Sequence, residues 1–330
     1  MTLSNANNPS PALPLVLVTE TLDPVPAQWL QNRVRMVWCK TDQPEFPSLL
    51  AQAQGLVIRT YTIITESFLQ QAPNLRVIGR AGVGLDNVDL HACREKNIEV
   101  VYTPDANTQA VVEYVWALLL DVLRPRPRMQ PAMTEEAFHH QRKVAVGTQL
   151  DQLKLGILGM GRIGKRLGKS ARAMGIRVLG NDLLPEKQIR DTVDYDFDFV
   201  DKSTLYSQSD ILTIHVDGRK ENRHLINKQV LSQLKPHCLL INAARGFLID
   251  NHALAQWAKD HPQARVILDV HDPEPPPADY PLYGLANVEL LPHLASRTTT
   301  ATENMSWVVR DVAAVLAGEK PQFSALSPLS

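Results

Sequence analysis

The sequence predicts an α/β protein in which a doubly wound parallel sheet accompanies a second, smaller α/β unit. Short apolar runs alternate with helix-length segments along most of the chain, which is typical of parallel strands joined by helices. A glycine fingerprint stands in mid-chain between one such run and a helical stretch. The chain of 330 residues also exceeds what one hydrophobic core usually organises, so we expect two domains.

The part of the chain before the fingerprint predicts the smaller unit. Helical-period segments separate its apolar runs, so we interpret each run as a buried strand of a parallel sheet. These runs are Leu15–Val18, Leu56–Ile58 and Val77–Ile78.

A long apolar helix is predicted to follow this unit. Val111–Leu123 has Glu113 as its only charge before Asp121, so we expect a helix that is buried on all sides, with Asn107 as its N-cap. Pro125 predicts its end, because the residue before a proline is pushed out of the helical region.

The mid-chain fingerprint is the strongest motif. Gly159-Met160-Gly161-Arg162-Ile163-Gly164 follows the strand-like run Leu155–Leu158 and begins a helix. In such a motif the first glycine permits a tight turn, the second lets backbone approach a pyrophosphate, and the third lets helix and strand pack closely. The helix N-terminus adds a positive dipole end for the phosphates. A glycine-rich turn of another α/β protein is the alternative, but the order of elements predicts a Rossmann-type dinucleotide site formed by Gly159, Gly161, Arg162, Ile163 and Gly164.

An acidic residue at the end of the next strand indicates which dinucleotide is bound. Asp182 closely follows the run Arg177–Gly180. Its carboxylate can accept hydrogen bonds from both ribose hydroxyls and would repel a 2′-phosphate. NAD is therefore the expected cofactor.

Further apolar runs after Asp182 predict the rest of the doubly wound sheet, because a helix-length segment separates each from the next. The last helical stretch, about Thr300 to Leu316, has no strand after it, and we expect it to return to the first unit. The runs are Ile211–Val216, Leu239–Ile241, Val266–Val270 and Val288–Leu291.

Polar residues directly after these strands are the candidates for chemistry, because ligands of a doubly wound sheet lie beyond the carboxyl ends of its strands. Arg245, Glu274 and His293 all stand in this position, and we expect them to converge on the nicotinamide end of the cofactor. Taken singly, a strand-end histidine is usually a satisfied structural residue. An arginine–glutamate pair is likewise more often structural than catalytic.

Four signatures occur in order along the chain. They are the loop Arg80–Asp89, the fingerprint with its later aspartate, Ile241–Gly246, and Leu268–Pro275 followed by Pro292–Ser296. In these residues the chain resembles the D-isomer-specific 2-hydroxyacid dehydrogenase family, and within it the phosphoglycerate dehydrogenase-like branch, from about Leu15 to Gly318.

This resemblance implies both an architecture and an activity. It implies a flavodoxin-like lid domain made of residues 1–106 and 298–330, into which a NAD-binding domain of residues 107–297 is inserted. It also implies a NAD-dependent hydride transfer at C2 of a D-2-hydroxy acid or 2-oxo acid.

The resemblance assigns a role to each strand-end residue, and elementary chemistry supports these roles. It makes His293 the acid/base, since reduction of a 2-oxo acid needs a proton on the carbonyl oxygen as hydride arrives. Glu274 is its partner and fixes the imidazole tautomer, while Arg245 anchors the substrate carboxylate through a rigid fork of donors. A backbone nest for the same carboxylate is expected from Gly82, Val83 and Gly84.

Further cofactor contacts are expected next to the strand ends. His215 and Val216 are expected to line the adenosine side of the cleft. Asp269 is expected to orient the nicotinamide amide, with a helix or turn cap as its alternative. The expected set is completed by Ala243, Ala244 and Ser296.

Two substrate sizes fit the sequence. Arg59 follows an early strand and looks like the arginine that the branch places near the distal substrate group, so it is a candidate for a phosphate or second carboxylate, as in 3-phosphoglycerate. An interdomain ion pair is its alternative. Tyr61 is bulky for its position, which leaves glyoxylate or hydroxypyruvate open. Two departures from the family pattern flank the cleft: His271 replaces the usual aromatic residue, and Asp217 a common proline.

Composition argues against several classes of partner. The net charge of −1 offers no long-range attraction to nucleic acid or to an anionic membrane. The cysteines are odd in number and widely spaced, so we expect reduced core thiols rather than disulfides or a zinc site. No metal site is expected, because the histidines lack ligand spacing, and His139 and His140 are expected on a solvated face. The cysteines are Cys39, Cys93 and Cys238.

The sequence also leads to expectations about cellular location, oligomeric state and the class of function. The first fourteen residues carry neither a basic nor an apolar leader region, so a cytoplasmic location is expected by default. The family resemblance implies a homodimer, and the end of the chain soon after Gly318 leads us to expect no appended regulatory domain. A NAD-sensing corepressor on the same fold is the alternative to an enzyme, but the intact strand-end set favours the enzyme.

Overall fold

The computed structural model describes residues 13–326 and divides the chain into two compact units. The smaller unit comprises Met1–Asn107 and Thr298–Ser330, and the larger unit comprises Thr108–Arg297. Each unit is built on a parallel sheet flanked by helices, which confirms the predicted α/β class. The prediction about a leader falls largely on residues 1–12, which lie outside the described residues.

The smaller unit contains a five-stranded parallel sheet in the order β2-β1-β3-β4-β5. The predicted apolar runs form its central strands, and buried aliphatic side chains cover both faces of the sheet. The elements are β1 Leu15–Val18, α1 Pro24–Gln31, β2 Arg35–Trp38, α2 Phe46–Leu50, β3 Gly55–Ile58, α3 Glu66–Gln70, β4 Val77–Arg80, α4 Leu90–Glu95 and β5 Glu99–Tyr102.

The larger unit contains a seven-stranded parallel sheet in the order β12-β11-β10-β9-β6-β7-β8. Helices cover both faces, as the doubly wound prediction requires. The elements are α5 Thr108–Leu123, α6 Glu135–Val144, β6 Lys154–Leu158, α7 Arg162–Ala173, β7 Arg177–Asn181, α8 Glu186–Arg190, β8 Asp198–Phe199, α9 Lys202–Gln208, β9 Ile211–Ile214, α10 Lys228–Leu231, β10 Leu239–Asn242, α11 Asn251–Asp260, β11 Arg265–Leu268 and β12 Val288–Leu290.

The last helical stretch returns to the smaller unit, as predicted, but it consists of two helices, α12 Thr299–Ser306 and α13 Val309–Leu316. The second helix packs directly on the five-stranded sheet. A Cβ added to Gly79 of β4 would lie 2.4 Å from Cγ2 of Val312. The close approach of this helix to the sheet therefore requires a glycine in the strand.

Two expectations about α5 are wrong. Asn107 does not cap the helix, because its side-chain oxygen is buried without a hydrogen-bond partner among residues 13–326. The helix is not buried on all sides either. Residues at every fourth position form one exposed face along the helix. The exposed residues are Gln109, Glu113, Ala117 and Asp121.

Strands β2, β5 and β8 are absent from the predicted set, and each lies at an edge of its sheet. An edge strand has a neighbour on one side only, so it carries polar residues that weaken the apolar pattern. Arg35 and Glu99 begin two of these strands, and Asp198 begins the third. The prediction therefore recognised the central strands and the edge strand β12, and it missed the three edge strands that begin with a charged residue.

The expected burial of the cysteines and the expected exposure of two histidines are confirmed. Cys39, Cys93 and Cys238 are buried free thiols. His139 and His140 lie on α6, whose residues are almost all exposed. Within the part of the chain that the structure describes, no helix combines the length and the apolar character that a membrane crossing needs.

Candidate active site

The fingerprint turn joins β6 to α7, and its glycines are required by close packing. Gly159 has a φ of +100°, and a Cβ there would lie 2.7 Å from the carbonyl of His215 at the end of β9. A Cβ on Gly164 would lie 2.1 Å from the carbonyl oxygen of Gly159. Apart from its own chain neighbours and the adjoining helix backbone, no atom of the described residues lies within 4 Å of the Cβ position of Gly161. The turn therefore leaves open backbone at the N-terminus of α7, where a pyrophosphate fits.

Asp182 ties the end of β7 to this turn. One carboxylate oxygen accepts the N–H of Met160 at 2.7 Å, and the other accepts the N–H of Leu184 at 2.9 Å. Each carboxylate oxygen has two lone pairs, so acceptor capacity is left for ribose hydroxyls. The backbone of the fingerprint thus holds the acidic residue that the sequence predicts to select the cofactor.

His215 and Asp217 shape the segment after β9. Nε2 of His215 lies 2.9 Å from the hydroxyl of Thr213, and burial lowers the pKa of His215 to about 4. The imidazole is therefore neutral at physiological pH. Asp217 accepts from Nε of Arg219 at 2.7 Å and from Nδ2 of Asn222 at 3.0 Å, and the bond from Arg219 holds the pKa of Asp217 below its usual range. The residue that replaces a common proline therefore anchors its own loop.

His293 and Glu274 form a hydrogen-bonded pair beyond the carboxyl ends of β12 and β11. Nδ1 of His293 lies 3.0 and 3.1 Å from the two carboxylate oxygens of Glu274. Because Nδ1 faces the carboxylate, Nε2 is the ring atom that can exchange a proton with a ligand. The side chains are 40% and 38% exposed, so a ligand can reach them. The structure thus brings two of the three predicted catalytic residues together.

Asp269 holds the turn that carries His293. It is fully buried, and its two oxygens accept the N–H groups of Leu294 at 2.7 Å and Ala295 at 2.9 Å. The hydroxyl of Tyr114, from α5, donates to the same carboxylate at 3.2 Å. These bonds are those of the turn-cap alternative, and contact with nicotinamide stays a prediction.

Sequence reasoning missed Tyr114. Burial, followed by the charge of Asp269, raises the pKa of its hydroxyl, so it stays protonated and donates. The available signal was a phenol within an otherwise apolar helix, since a buried hydroxyl usually finds a partner.

Arg245 lies in the loop after β10, three residues beyond the end of the strand. Asn242 shapes this loop, because its amide donates to the carbonyl of Arg245 at 2.9 Å and its oxygen accepts the N–H of Ala244 at 3.0 Å. Nη1 of Arg245 donates to the carbonyl of Ala244 at 2.7 Å. Since β10, β11 and β12 are neighbours, the loops of Arg245, Glu274 and His293 all leave the same edge of the sheet.

His271 links two of these loops. It is buried, and its Nε2 donates to the carbonyl of Leu291 at 2.8 Å, two residues before His293. Tyr280 packs edge-on against its ring at 5.7 Å. The histidine that replaces the usual aromatic residue therefore keeps an aromatic contact and adds a bond to the end of β12.

The smaller unit carries the predicted substrate-binding residues. The N–H of Gly82 donates to the carbonyl of Arg80 at 2.8 Å, so the predicted nest is reduced to Val83 and Gly84. Nη1 of Arg59 donates to the carbonyl of Thr21 at 3.2 Å, and Tyr61 is 87% exposed.

Comparisons with known proteins identify the family. The sequence model of the NAD binding domain of D-isomer specific 2-hydroxyacid dehydrogenases matches residues 116–295. A D-3-phosphoglycerate dehydrogenase of Archaeoglobus fulgidus is 32% identical over 314 residues, which are 94% of this chain and 59% of that protein. A hydroxypyruvate reductase of Thermotoga maritima is 31% identical over 290 residues, which are 87% of this chain and 92% of that protein. The chain belongs to the D-isomer specific 2-hydroxyacid dehydrogenase family.

Solved structures agree with this assignment. The crystal structure of the TT0316 protein from Thermus thermophilus superposes with a TM-score of 0.81 at 31% identity, and the match covers 94% of this chain and 99% of that one. The resemblance seen in the motifs, the Rossmann-type fold and NAD as cofactor are thereby confirmed. The chain spans 59% of the length of the curated phosphoglycerate dehydrogenase.

Proposed function

We propose that this protein is a NAD-dependent oxidoreductase that transfers a hydride between nicotinamide and C2 of a D-2-hydroxy acid or 2-oxo acid. The observation that carries the proposal is the pair His293–Glu274, with Nδ1 3.0 Å from the carboxylate, beside the family's NAD-binding domain. A histidine so paired is suited to general acid–base catalysis.

Each of the three residues after the strands has its own role in the proposed reaction. In reduction, Nε2 of His293 gives its proton to the substrate carbonyl oxygen, and in oxidation it takes the proton back from the hydroxyl. Glu274 holds the imidazole by Nδ1, so that Nε2 points to the substrate. Arg245 holds the substrate carboxylate and polarises the carbonyl. NADH, when bound, would supply the hydride for C2.

The fingerprint and its surroundings would hold the cofactor. Open backbone at Gly161 fits the pyrophosphate, and Asp182 fits the ribose hydroxyls, so we propose a preference for NAD over NADP. The further proposed contacts are Arg162, Ile163, His215, Val216, Ala243, Ala244, Asp269 and Ser296.

The smaller unit is proposed as the substrate-binding lid. Its proposed boundaries are residues 1–106 and 298–330, with residues 107–297 as the NAD-binding domain. Val83 and Gly84 would bind the substrate carboxylate, and Arg59 a distal phosphate or second carboxylate. The name of the Archaeoglobus relative supports a 3-phosphoglycerate-like substrate, whereas that of the Thermotoga relative supports hydroxypyruvate.

A cytoplasmic homodimer is also proposed. The reduced, buried cysteines support an intracellular compartment. Apolar side chains left exposed around α6 in the single chain, such as Met129 and Val146, support a second subunit. Sedimentation velocity of the purified protein tests the dimer directly.

A substrate panel tests the proposed function. Oxidation of NADH should be measured with glyoxylate, hydroxypyruvate and 3-phosphohydroxypyruvate, and we expect turnover with at least one of them. Tight NADH binding without turnover on any 2-oxo acid would favour the corepressor alternative, for which the relatives named above give no support.

A further inference from the structure

The loop after β3 points four consecutive backbone N–H groups at one carboxylate. Glu20, which follows the neighbouring strand β1, accepts the N–H of Arg59 at 3.0 Å and that of Thr60 at 3.0 Å. It also accepts from Tyr61 at 3.1 Å and from Thr62 at 3.0 Å. Burial alone would raise the pKa of Glu20, but these bonds hold it below its usual value, so the carboxylate is ionised at neutral pH.

The carbonyl groups of the same loop are held by a second side chain. Nδ2 of Asn87 donates to the carbonyl of Arg59 at 2.9 Å and to that of Thr62 at 2.7 Å. The hydroxyls of Thr62 and Thr19 lie 2.7 Å apart. Asn87 belongs to the same loop as Val83 and Gly84. One face of the 59–62 loop is thus fixed by a strand-end carboxylate and the other by an amide.

This arrangement decides how the loop can recognise an anion. Its four N–H groups already bind the carboxylate of Glu20, so they form no backbone site for a substrate phosphate. Recognition of a distal anion is left to the side chain of Arg59. An arginine side chain is long and loses conformational entropy when it binds, so a fixed backbone beneath it increases what the contact contributes.

We infer that Glu20 is a positioning residue for substrate discrimination, which acts by holding the 59–62 loop, together with Asn87, in the shape from which Arg59 contacts the distal anionic group of the substrate. This inference rests on the proposed function, which places Arg59 at that group. Glu20 does not touch the substrate.

The first test compares two substrates in the full-length enzyme with NADH. The ratio of kcat/KM for 3-phosphohydroxypyruvate to that for glyoxylate isolates the distal phosphate. Glu20→Gln keeps the size of the side chain but removes its charge and places an NH₂ against N–H donors, so the ratio should fall by about tenfold, the scale of one charge-assisted hydrogen bond. Glu45→Gln, an exposed glutamate of the same unit, is the matched control and should leave the ratio unchanged.

A double-mutant cycle separates positioning from general destabilisation. If Glu20 acts through Arg59, the ratio in Glu20→Gln/Arg59→Ala should equal that of Arg59→Ala alone. Additive losses in the ratio, or equal losses on both substrates in Glu20→Gln, would overturn the inference. Should Glu20→Gln fail to fold, Glu20→Asp retains the charge, is one methylene too short to reach all four N–H groups, and answers the same question.

Hydrogen exchange gives a readout that does not depend on turnover. The amides of residues 59–62 should exchange at least about tenfold faster in Glu20→Gln than in Glu45→Gln, because their acceptor is weakened. Unchanged protection would overturn the inference. Failure of the proposed function has a different signature, namely no NADH oxidation with any 2-oxo acid in the wild-type protein.

Discussion

Asp269 in the larger unit and Glu20 in the smaller unit are built into their loops in the same way. Each closely follows a parallel strand, and each accepts hydrogen bonds from successive backbone N–H groups of a loop that carries a proposed functional residue. The two sites differ in burial. Asp269 is fully buried and accepts a third hydrogen bond from Tyr114, whereas the loop held by Glu20 lies at the surface, where Tyr61 is 87% exposed.

The burial of each carboxylate determines which properties of the protein depend on it. Removing the partners of a buried charge lowers the free energy of unfolding more than the same change near the surface. The same holds for removing a buried charge from the loop that it supports. Asp269 should therefore influence the stability of the whole unit and turnover on every substrate, because His293 serves them all. Glu20 should influence only the substrates that reach Arg59.

The largest effect is expected at the residue that Asp269 supports. His293→Ala should lower kcat by about a hundredfold or more, because general acid catalysis contributes on this scale, while the Kd of NADH changes little. Steady-state kinetics and fluorescence titration with NADH measure the two quantities. Turnover within about threefold of the wild type would remove His293 from the mechanism.

The variant Asp269→Asn tests the proposed difference between Asp269 and Glu20 directly. The amide can accept at one position only, so the free energy of unfolding should fall by about 1.5 to 3 kcal/mol, as measured by urea denaturation. Activity should fall in parallel on glyoxylate and on 3-phosphohydroxypyruvate, in contrast to Glu20→Gln. Asp279→Asn, at an exposed position of the same unit, is the control. Selective loss on one substrate would show that the two carboxylates do not differ as argued.

Asp182 is a third carboxylate that accepts hydrogen bonds from backbone N–H groups, but its oxygens have lone pairs left to accept hydrogen bonds from a ligand. The wild type should prefer NAD over NADP by at least about tenfold in kcat/KM, since a 2′-phosphate would meet a negative charge. Asp182→Ser combined with Leu183→Arg should narrow or reverse this preference. Leu183→Arg alone is the matched control, and equal use of both cofactors by the wild type would contradict the role of Asp182.

The smallest effect is expected in the pH dependence of stability. The pKa of Glu20 is lowered in the folded protein from its ordinary value of 4.5, so its contribution is present above that value and is lost as the pH falls through the lowered pKa. The difference in unfolding free energy between wild type and Glu20→Gln should therefore shrink from pH 6 to pH 3. A difference that is constant over this range would show that folding does not lower the pKa of Glu20.

Prediction from the sequence succeeded where the signal is local. The fingerprint turn and the central strands are marked by residues adjacent in the chain, whereas the roles of Arg245, Glu274 and His293 stay predictions. It failed at the edge strands β2, β5 and β8, because their polar residues hide the apolar pattern. It also failed at α5, where hydrophobicity suggested burial on all sides but an exposed stripe is present.

The sequence by itself determined the fold class, the family and the order of the motifs, since each depends on short-range spacing that the chain displays directly. Only the tertiary structure decided what holds the functional loops. Tyr114 and Asp269 are 155 residues apart, and Glu20 lies 39 residues before the first amide that it accepts. No local pattern links such residues. They meet because parallel strands bring distant loops to one edge of a sheet, and because a carboxylate buried there must find donors wherever the fold supplies them.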